Sequence, residues 1–457
     1  MTEARDTLFQ TLTQALEAKQ YHEFTQTVDR MNAVDIAEYL DTLGGDRLIT
    51  VFRLLKKDVA ADIFAELDPE TREKIILTTT DSDLGLIVDE LFIDDAVDLL
   101  EELPAGMVKR ILRSAKPETR RLINKFLSYP EDSAGSVMTA EYIDLKEAMT
   151  VTEAVERIRR TGVDKETVYV AYITDSARSL VGIVTLRDLL FADGNALLRD
   201  IMSTDIVMAS TTDDREEVAA IISKYDLLAL PIVDREKRLV GIVTVDDALD
   251  VIEEEATEDI EKMAAIVPDN RPYLKSSVFA IWKKRIPWLL LLMVSATFTG
   301  EIISGFEEAL SLFPALVAFI PMLMDTGGNS GGQASVTVIR GLALNEIRMG
   351  DVLKIIWKEL RVGLLCGIAL CACNFVKILL VDNLLLGNNI SLAQSLVVSL
   401  TLLCTVIVAK FVGGTLPVLA KKIGLDPAVM ASPFITTIVD AISLLIYFQI
   451  ATFVLGI

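Results

Sequence analysis

The chain has 457 residues, with 66 aspartates and glutamates against 44 lysines and arginines, and a formal charge of −22. Residues 1–285 hold 56 of those 66 acids and 35 of the 44 bases, a net −21, while residues 286–457 are otherwise apolar. So negative a surface argues against a nucleic-acid partner, because phosphates need a basic footprint, and suits either solubility or cation binding. The four cysteines (Cys366, Cys371, Cys373, Cys404) all lie in apolar segments, so neither a disulfide framework nor a structural zinc site is expected. The opening MTEARDTLFQ has no basic or apolar region and does not read as a signal peptide.

Residues 1–130 read as an all-α domain of short amphipathic helices joined at Asp-Pro and Lys-Pro steps: Val59–Leu67, Ile93–Leu103 and Met107–Ala115. DVAADIFAELDPE and DDAVDLLEELPAG, about 35 residues apart, form a degenerate repeat, which predicts an acidic solenoid of HEAT-like type. Residues 131–245 contain two α/β units. VTEAVERIRR, TVYVAYITD and SLVGIVTLRDLL make the first, and REEVAAIISKYDLLALPIVD and RLVGIVTVDDALDVI the second. The repeated GIVT-x-x-D resembles the tandem cystathionine-β-synthase (CBS) pair. Residues 246–280 begin with a long acidic helix, DDALDVIEEEATEDIEKMA, and lead to Trp282-Lys283-Lys284-Arg285.

Residues 281–457 are expected to form a transmembrane domain. Five apolar stretches, near 286–306, 313–342, 361–381, 392–420 and 429–455, are long enough to cross the hydrocarbon of a bilayer. Basic residues cluster before the first, between the second and third (Arg340, Arg348, Lys354, Lys358, Arg361), and between the fourth and fifth (Lys421, Lys422). The bias of lysine and arginine toward the cytoplasm puts the N-terminal half inside and the C-terminus outside.

Charge inside hydrocarbon is costly, so the lone acid of the last stretch, Asp440, marks a functional position. Thr436, Thr437 and Ser443 share its helix face by spacing. An ion pair with Lys410 is the structural alternative. In the second stretch, four glycines within Gly327–Gly332 predict either a helix loosened beside a polar cavity or close packing through small residues. Mg²⁺ takes oxygen ligands, few of them carboxylates, and keeps its waters, so one aspartate framed by hydroxyls and carbonyls suits it, the more so in a symmetric dimer.

Among the cytoplasmic acids, Asp247, Asp250 and Glu254 share one face of the connecting helix, as do Glu255, Glu258 and Asp259. Like charges at that spacing repel, and divalent cations bridging to other acids would remove the repulsion. Candidate partners are Asp62, Asp94 and Asp98 in residues 1–130 and Asp214, Glu216 and Asp226 in the CBS pair.

The whole order of segments resembles the MgtE-type magnesium channels and transporters of bacteria. AGSVMTAEY, GIVTVDDALDVIEEEATEDIEKM, TGGNSGGQASVTVIRGLA and DPAVMASPFITTIVDAISLLIYF carry the likeness. The resemblance implies a homodimer in the inner membrane. In it Asp440 holds hydrated Mg²⁺ in the pore, Thr436 offers a backbone carbonyl, and Asp426 of the Asp426-Pro427-Ala428 element stands at the cytoplasmic mouth. It further implies that Mg²⁺ bridging the cytoplasmic acids compacts that region and closes the pore. CBS pairs often bind adenine nucleotides, which makes Arg187 and Asp188 candidates for ATP. The resulting expectation is a Mg²⁺-selective channel for Mg²⁺ uptake, gated shut by cytosolic Mg²⁺, and not an enzyme. The alternative is a cation-coupled solute carrier regulated by its CBS domains.

Overall fold

Prolines punctuate the N-terminal region: Pro69 and Pro117 each occupy a first helical turn, where their missing N–H costs nothing. The computed structural model describes residues 2–101, 103–269, 273–274, 276–430 and 432–456. It divides into two units, Met1–Ile252 and Glu253–Ile457.

In the first unit the short helices are α1 (Thr2–Glu17), α2 (Tyr21–Val28), α3 (Ala33–Asp41), α4 (Gly45–Phe52), α5 (Lys57–Ala65), α6 (Pro69–Thr78), α7 (Asp81–Glu90), α8 (Ile93–Glu101), α9 (Ala105–Ser114) and α10 (Pro117–Phe126). The three helices expected from sequence are α5, α8 and α9, with ends shifted by about two residues. Helix α1 packs on α2, and beyond it most helices pack on the one two places along: α3 on α5, α5 on α7, α7 on α9, α4 on α6 and α8 on α10. This is solenoid packing, in which no helix can bury its apolar face alone.

The two α/β units are copies of one pattern. Strands β1 (Ile143–Lys146), β2 (Val170–Thr174) and β3 (Leu180–Thr185) form one sheet; β4 (Ala209–Ser210), β5 (Ala229–Val233) and β6 (Leu239–Thr244) form the other. In each, the first pair is parallel and the second antiparallel, with an irregularity at Ile173/Thr174 and at Ile232/Val233. Helices α11 (Val151–Thr161), α12 (Leu186–Phe191), α13 (Leu198–Ile201) and α14 (Arg215–Tyr225) accompany them. The repeated Thr-x-x-Asp is a helix start in both copies: Asp188 accepts from the N–H and hydroxyl of Thr185, and Asp247 does the same with Thr244. Thr244 thereby opens α15 (Val245–Met263), and the boundary between the two units falls inside this helix.

The second unit contains α16 (Val278–Gly305), α17 (Glu307–Leu312), α18 (Ile320–Ala343), α19 (Val352–Lys377), α20 (Leu392–Lys422) and α21 (Ser432–Leu455). Four of its helical segments, Val278–Gly305, Met349–Leu385, Leu392–Lys422 and Pro427–Leu455, are long and apolar enough to cross a membrane. The stretch expected at 313–342 differs. A 3₁₀ turn at Pro314–Phe319 precedes α18, whose 24 residues reach about 36 Å but include Asp325, Asn329, Ser330 and Gln333 among the glycines. Helix α18 packs against both α20 and α21.

The glycine run of α18 is a continuous helix, which corrects the expectation of a loosened one. The physical reason is proximity. A Cβ on Gly327 would stand 2.8 Å from Thr405 Cγ2, one on Gly328 2.7 Å from Thr436 Cγ2, and one on Gly331 2.7 Å from Ile435 Cγ2. Small residues let these backbones approach where the hydrophobic effect offers no driving force.

Candidate ion-binding sites

Asp440 lies mid-helix on α21, among Thr436, Thr437 and Ser443. The Thr436 and Thr437 hydroxyls both donate to the Pro433 carbonyl of their own helix, at 2.9 and 3.2 Å. That leaves the carboxylate without a local donor, and its Oδ1 is buried with no hydrogen-bond partner among the described residues. The alternative pairing with Lys410 is not formed. Lys410, buried on α20, donates instead to Gln333 Oε1 of α18 at 3.3 Å.

In the first unit a set of carboxylates is gathered from three places in the sequence. Asp94 is buried on the inner face of α8, between Ile93 and Val97, and its Oδ1 has no partner among the described residues. Burial pushes its carboxyl well above the ordinary range, and the charges of Asp247, Asp95 and Glu166 push it further. Asp95 is raised to about 6 by burial and then by Asp247 and Glu66, with Arg72 opposing and Asp62 adding. Burial lifts Asp247 to about 6 despite its hydrogen bonds to Thr244, with Asp246 and Asp250 contributing. Glu166, raised to about 7 by burial and by Asp247 and Asp95, also has a buried Oε2 with no partner among the described residues.

The expected Asp62, Asp94, Asp247 and Asp250 thus share one electrostatic neighbourhood. Asp98, one turn beyond Asp94, is exposed. Asp95 and Glu166 were missed from sequence. Asp95 adjoins Asp94 and was findable. Glu166 sits in a loop brought there only by the fold.

At the far end of α15, in the second unit, Lys262 bonds both Glu258 and Asp426, the latter at 2.6 Å. Burial alone would lower the Lys262 pKa, but these two carboxylates raise it above its ordinary value. Asp259 is raised by burial and then by Asp426. Asp426 also caps the following turn, accepting from the Ala428 N–H at 2.8 Å, and Met263 packs against Ile339 and Ala428. Glu255 is engaged in polar contacts of its own.

Asp214, Glu216 and Asp226 do not gather. Asp214 caps the start of α14, accepting from the Glu216 N–H at 2.8 Å, while Asp226 ends the same helix in a left-handed conformation with φ of 52°. Among the described residues, no three histidine, cysteine or acidic side chains converge as a ready set of metal ligands.

Comparison with known proteins agrees across the chain. The divalent cation transporter family MgtE matches residues 320–450, the MgtE intracellular N domain 31–132, and the CBS domain 134–195 and 198–254. The chain is 36% identical to the magnesium transporter MgtE of Thermus thermophilus over 448 residues, covering 97% of this chain and 98% of that one. It is 33% identical to the magnesium transporter MgtE of Bacillus subtilis, covering 94% and 93%. A crystal structure of the soluble part of a magnesium transporter superposes with a TM-score of 0.54 at 30% identity, covering 55% of this chain and 99% of its own. The cytosolic domain of the Mg²⁺ channel MgtE in complex with ATP superposes with a TM-score of 0.51 at 36% identity, covering 53% and 99%.

Proposed function

Since the chain belongs to the MgtE family of magnesium transporters, and is thus a membrane transporter and not an enzyme, we propose that it is a Mg²⁺-selective channel for Mg²⁺ uptake, closed by Mg²⁺ on its cytoplasmic acids. The observation that carries this reading is Asp440: a carboxylate inside an apolar helical bundle, with a buried oxygen that no donor or cation of the described chain satisfies. Such a group is costly unless an ion or water completes it. A hydrated Mg²⁺ fits, because it is held through its waters and needs few carboxylates.

The regulatory part rests on Asp94, Asp95, Asp247 and Glu166, whose mutual repulsion a divalent cation would relieve. Asp62, Asp98 and Asp250 stand as outer ligands of that site, and Asp214, Glu216 and Asp226, at the two ends of α14, as cation contacts apart from it. Glu255, Glu258, Asp259 and Asp426 act where α15 meets the turn before α21, with Lys262 already bridging two of them. Binding of Mg²⁺ to the closed arrangement in preference to the open one supplies the energy of gating. The reading includes a homodimer in the inner membrane, five spanning helices with α18 as the second, an acidic N-domain over 1–130, CBS domains over 131–245, a connecting segment over 246–280 and an outward C-terminus.

Patch-clamp recording of the full chain with stepped cytosolic Mg²⁺ tests it. The expected result is a Mg²⁺ current that shuts as cytosolic Mg²⁺ is raised. Absence of any divalent current sinks the channel, and a current indifferent to cytosolic Mg²⁺ sinks the regulation. Flux that requires a second substrate would favour the cation-coupled carrier.

ATP is the second ligand proposed, on the likeness to the ATP-bound cytosolic domain. Arg187 and Asp188 lie in the first turn of α12, and Asp188 already spends one oxygen, Oδ2, on Thr185. Arg187→Ala, which leaves that cap intact, is expected to weaken ATP binding about tenfold, the loss of one charge-assisted hydrogen bond. Calorimetric titration showing unchanged affinity would remove Arg187 from the site.

A further inference from the structure

Helix α18 turns a polar stripe outward. Asp325, Asn329, Gln333 and Thr337, spaced four apart and so on one face, are all exposed, while the opposite face (Gly327, Gly331, Val338) is buried. On a helix packed within the apolar bundle, such a stripe cannot face lipid acyl chains without large cost, so it faces water or protein. Among the described residues Asp325 forms no ion pair.

The register of the helix pair brings one member of this stripe, Asp325, to the level of Asp440. Close approaches run antiparallel: Gly331 to Ile435, Gly328 to Thr436, and Gly327 to Val439 and Ser443. Asp325 stands six residues, about 9 Å, before Gly331, and Asp440 stands five residues, about 7.5 Å, after Ile435. The two carboxylates therefore reach the same level of the bundle. Beside them, Thr405 of α20 is fully buried with a hydroxyl that has no partner among the described residues, and its methyl group borders Gly327.

Resting on the channel reading above, we propose that Asp325 is a second carboxylate of the ion path, on α18 at the level of Asp440, and that this second charge favours divalent over monovalent cations. The reason is valence. In a water-filled path, a carboxylate about 7 Å from an ion raises the occupancy of a divalent cation roughly tenfold and that of a monovalent one roughly threefold. The ratio between them therefore moves by about threefold for this one charge.

The test uses full-length protein in planar bilayers. Asp325→Asn should lower Mg²⁺ conductance at limiting Mg²⁺ by about tenfold and shift the Mg²⁺/K⁺ permeability ratio about threefold toward K⁺, and Asp325→Glu should retain both. Asp325→Cys, in a background with the four native cysteines replaced, should be modified by a membrane-impermeant thiol reagent and blocked by Cd²⁺. Wild-type conductance and selectivity in Asp325→Asn would overturn the proposal. So would a cysteine at 325 that is inert to the reagent in a conducting protein, because the stripe would then be sealed against a second copy of the chain. If Asp325→Asn fails to fold, the cysteine arm still decides. Wild-type protein without Mg²⁺ current would bring down the channel reading and this proposal together, whereas loss of current in Asp440→Ala with an indifferent Asp325→Asn removes only the latter.

Discussion

Asp440→Ala is expected to cut Mg²⁺ conductance by about two orders of magnitude while leaving the protein folded. A divalent ion held through one water shell, about 4.5 Å from the carboxylate in a medium of effective dielectric about 50, gains about 3 kcal/mol, roughly a hundredfold in occupancy. The same substitution should not weaken the bundle, because among the described residues no hydrogen bond is lost at Oδ1 and the neighbouring Thr436 and Thr437 hydroxyls are satisfied by Pro433. Removing an uncompensated buried charge is, on balance, neutral or stabilising. The two readouts therefore move apart: Mg²⁺ flux into proteoliposomes falls, and the thermal midpoint holds or rises. Full flux through the variant would remove Asp440 from the path. A collapse of the midpoint would mean that the side chain serves structure.

Stripping Mg²⁺ at pH 8 is expected to open the region around α8 and the start of α15, and lowering the pH to 5 should close it again without any metal. Asp95 and Asp247 titrate near 6 and Glu166 near 7 in the folded chain, above their ordinary values. For an acid raised in this way the folded state retains protons that the unfolded chain has released. Stability is complete below about pH 4 and is lost progressively as pH rises to about 7. A carboxyl moved to about 6 represents on the order of 3 kcal/mol, and because these groups interact, their contributions do not simply add. Mg²⁺ at a hundredfold excess over its Kd returns about 2.7 kcal/mol, enough to offset one such group.

Hydrogen exchange of the full chain, corrected for the pH dependence of the intrinsic rate, reads this directly. Tryptophan fluorescence would miss it, since Trp282, Trp288 and Trp357 all lie in the second unit. Asp247→Asn keeps an acceptor for Thr244 but removes the charge, so α8 should be better protected without metal and respond less to Mg²⁺. Protection that is indifferent to pH, or equal Mg²⁺ stabilisation at pH 5 and pH 8, would contradict the electrostatic account.

Much of this architecture is legible in the chain itself. The proline-punctuated helices, the duplicated GIVT-x-x-D units and the apolar second half rest on local periodicity, which depends on near neighbours only. Asp440 stands out for the same reason: a single acid in an apolar run is conspicuous without any knowledge of what surrounds it. The acidic face of α15 was visible too, as charge at helical spacing.

What the tertiary structure decided concerns contacts between distant segments. The glycines of α18 admit two readings as a string of letters, and only the side chains of Thr405, Thr436 and Ile435, which any added Cβ would meet at 2.7–2.8 Å, show that they serve packing. Lys410 could have neutralised Asp440, but the rotation of α20 directs it to Gln333. Glu166 joins Asp94 and Asp247 through sheet and solenoid packing that no local pattern encodes. Composition and spacing fix which residues can carry charge into the membrane or into a core. Whether those charges meet a partner depends on helix rotation and register, and these are set by long-range packing.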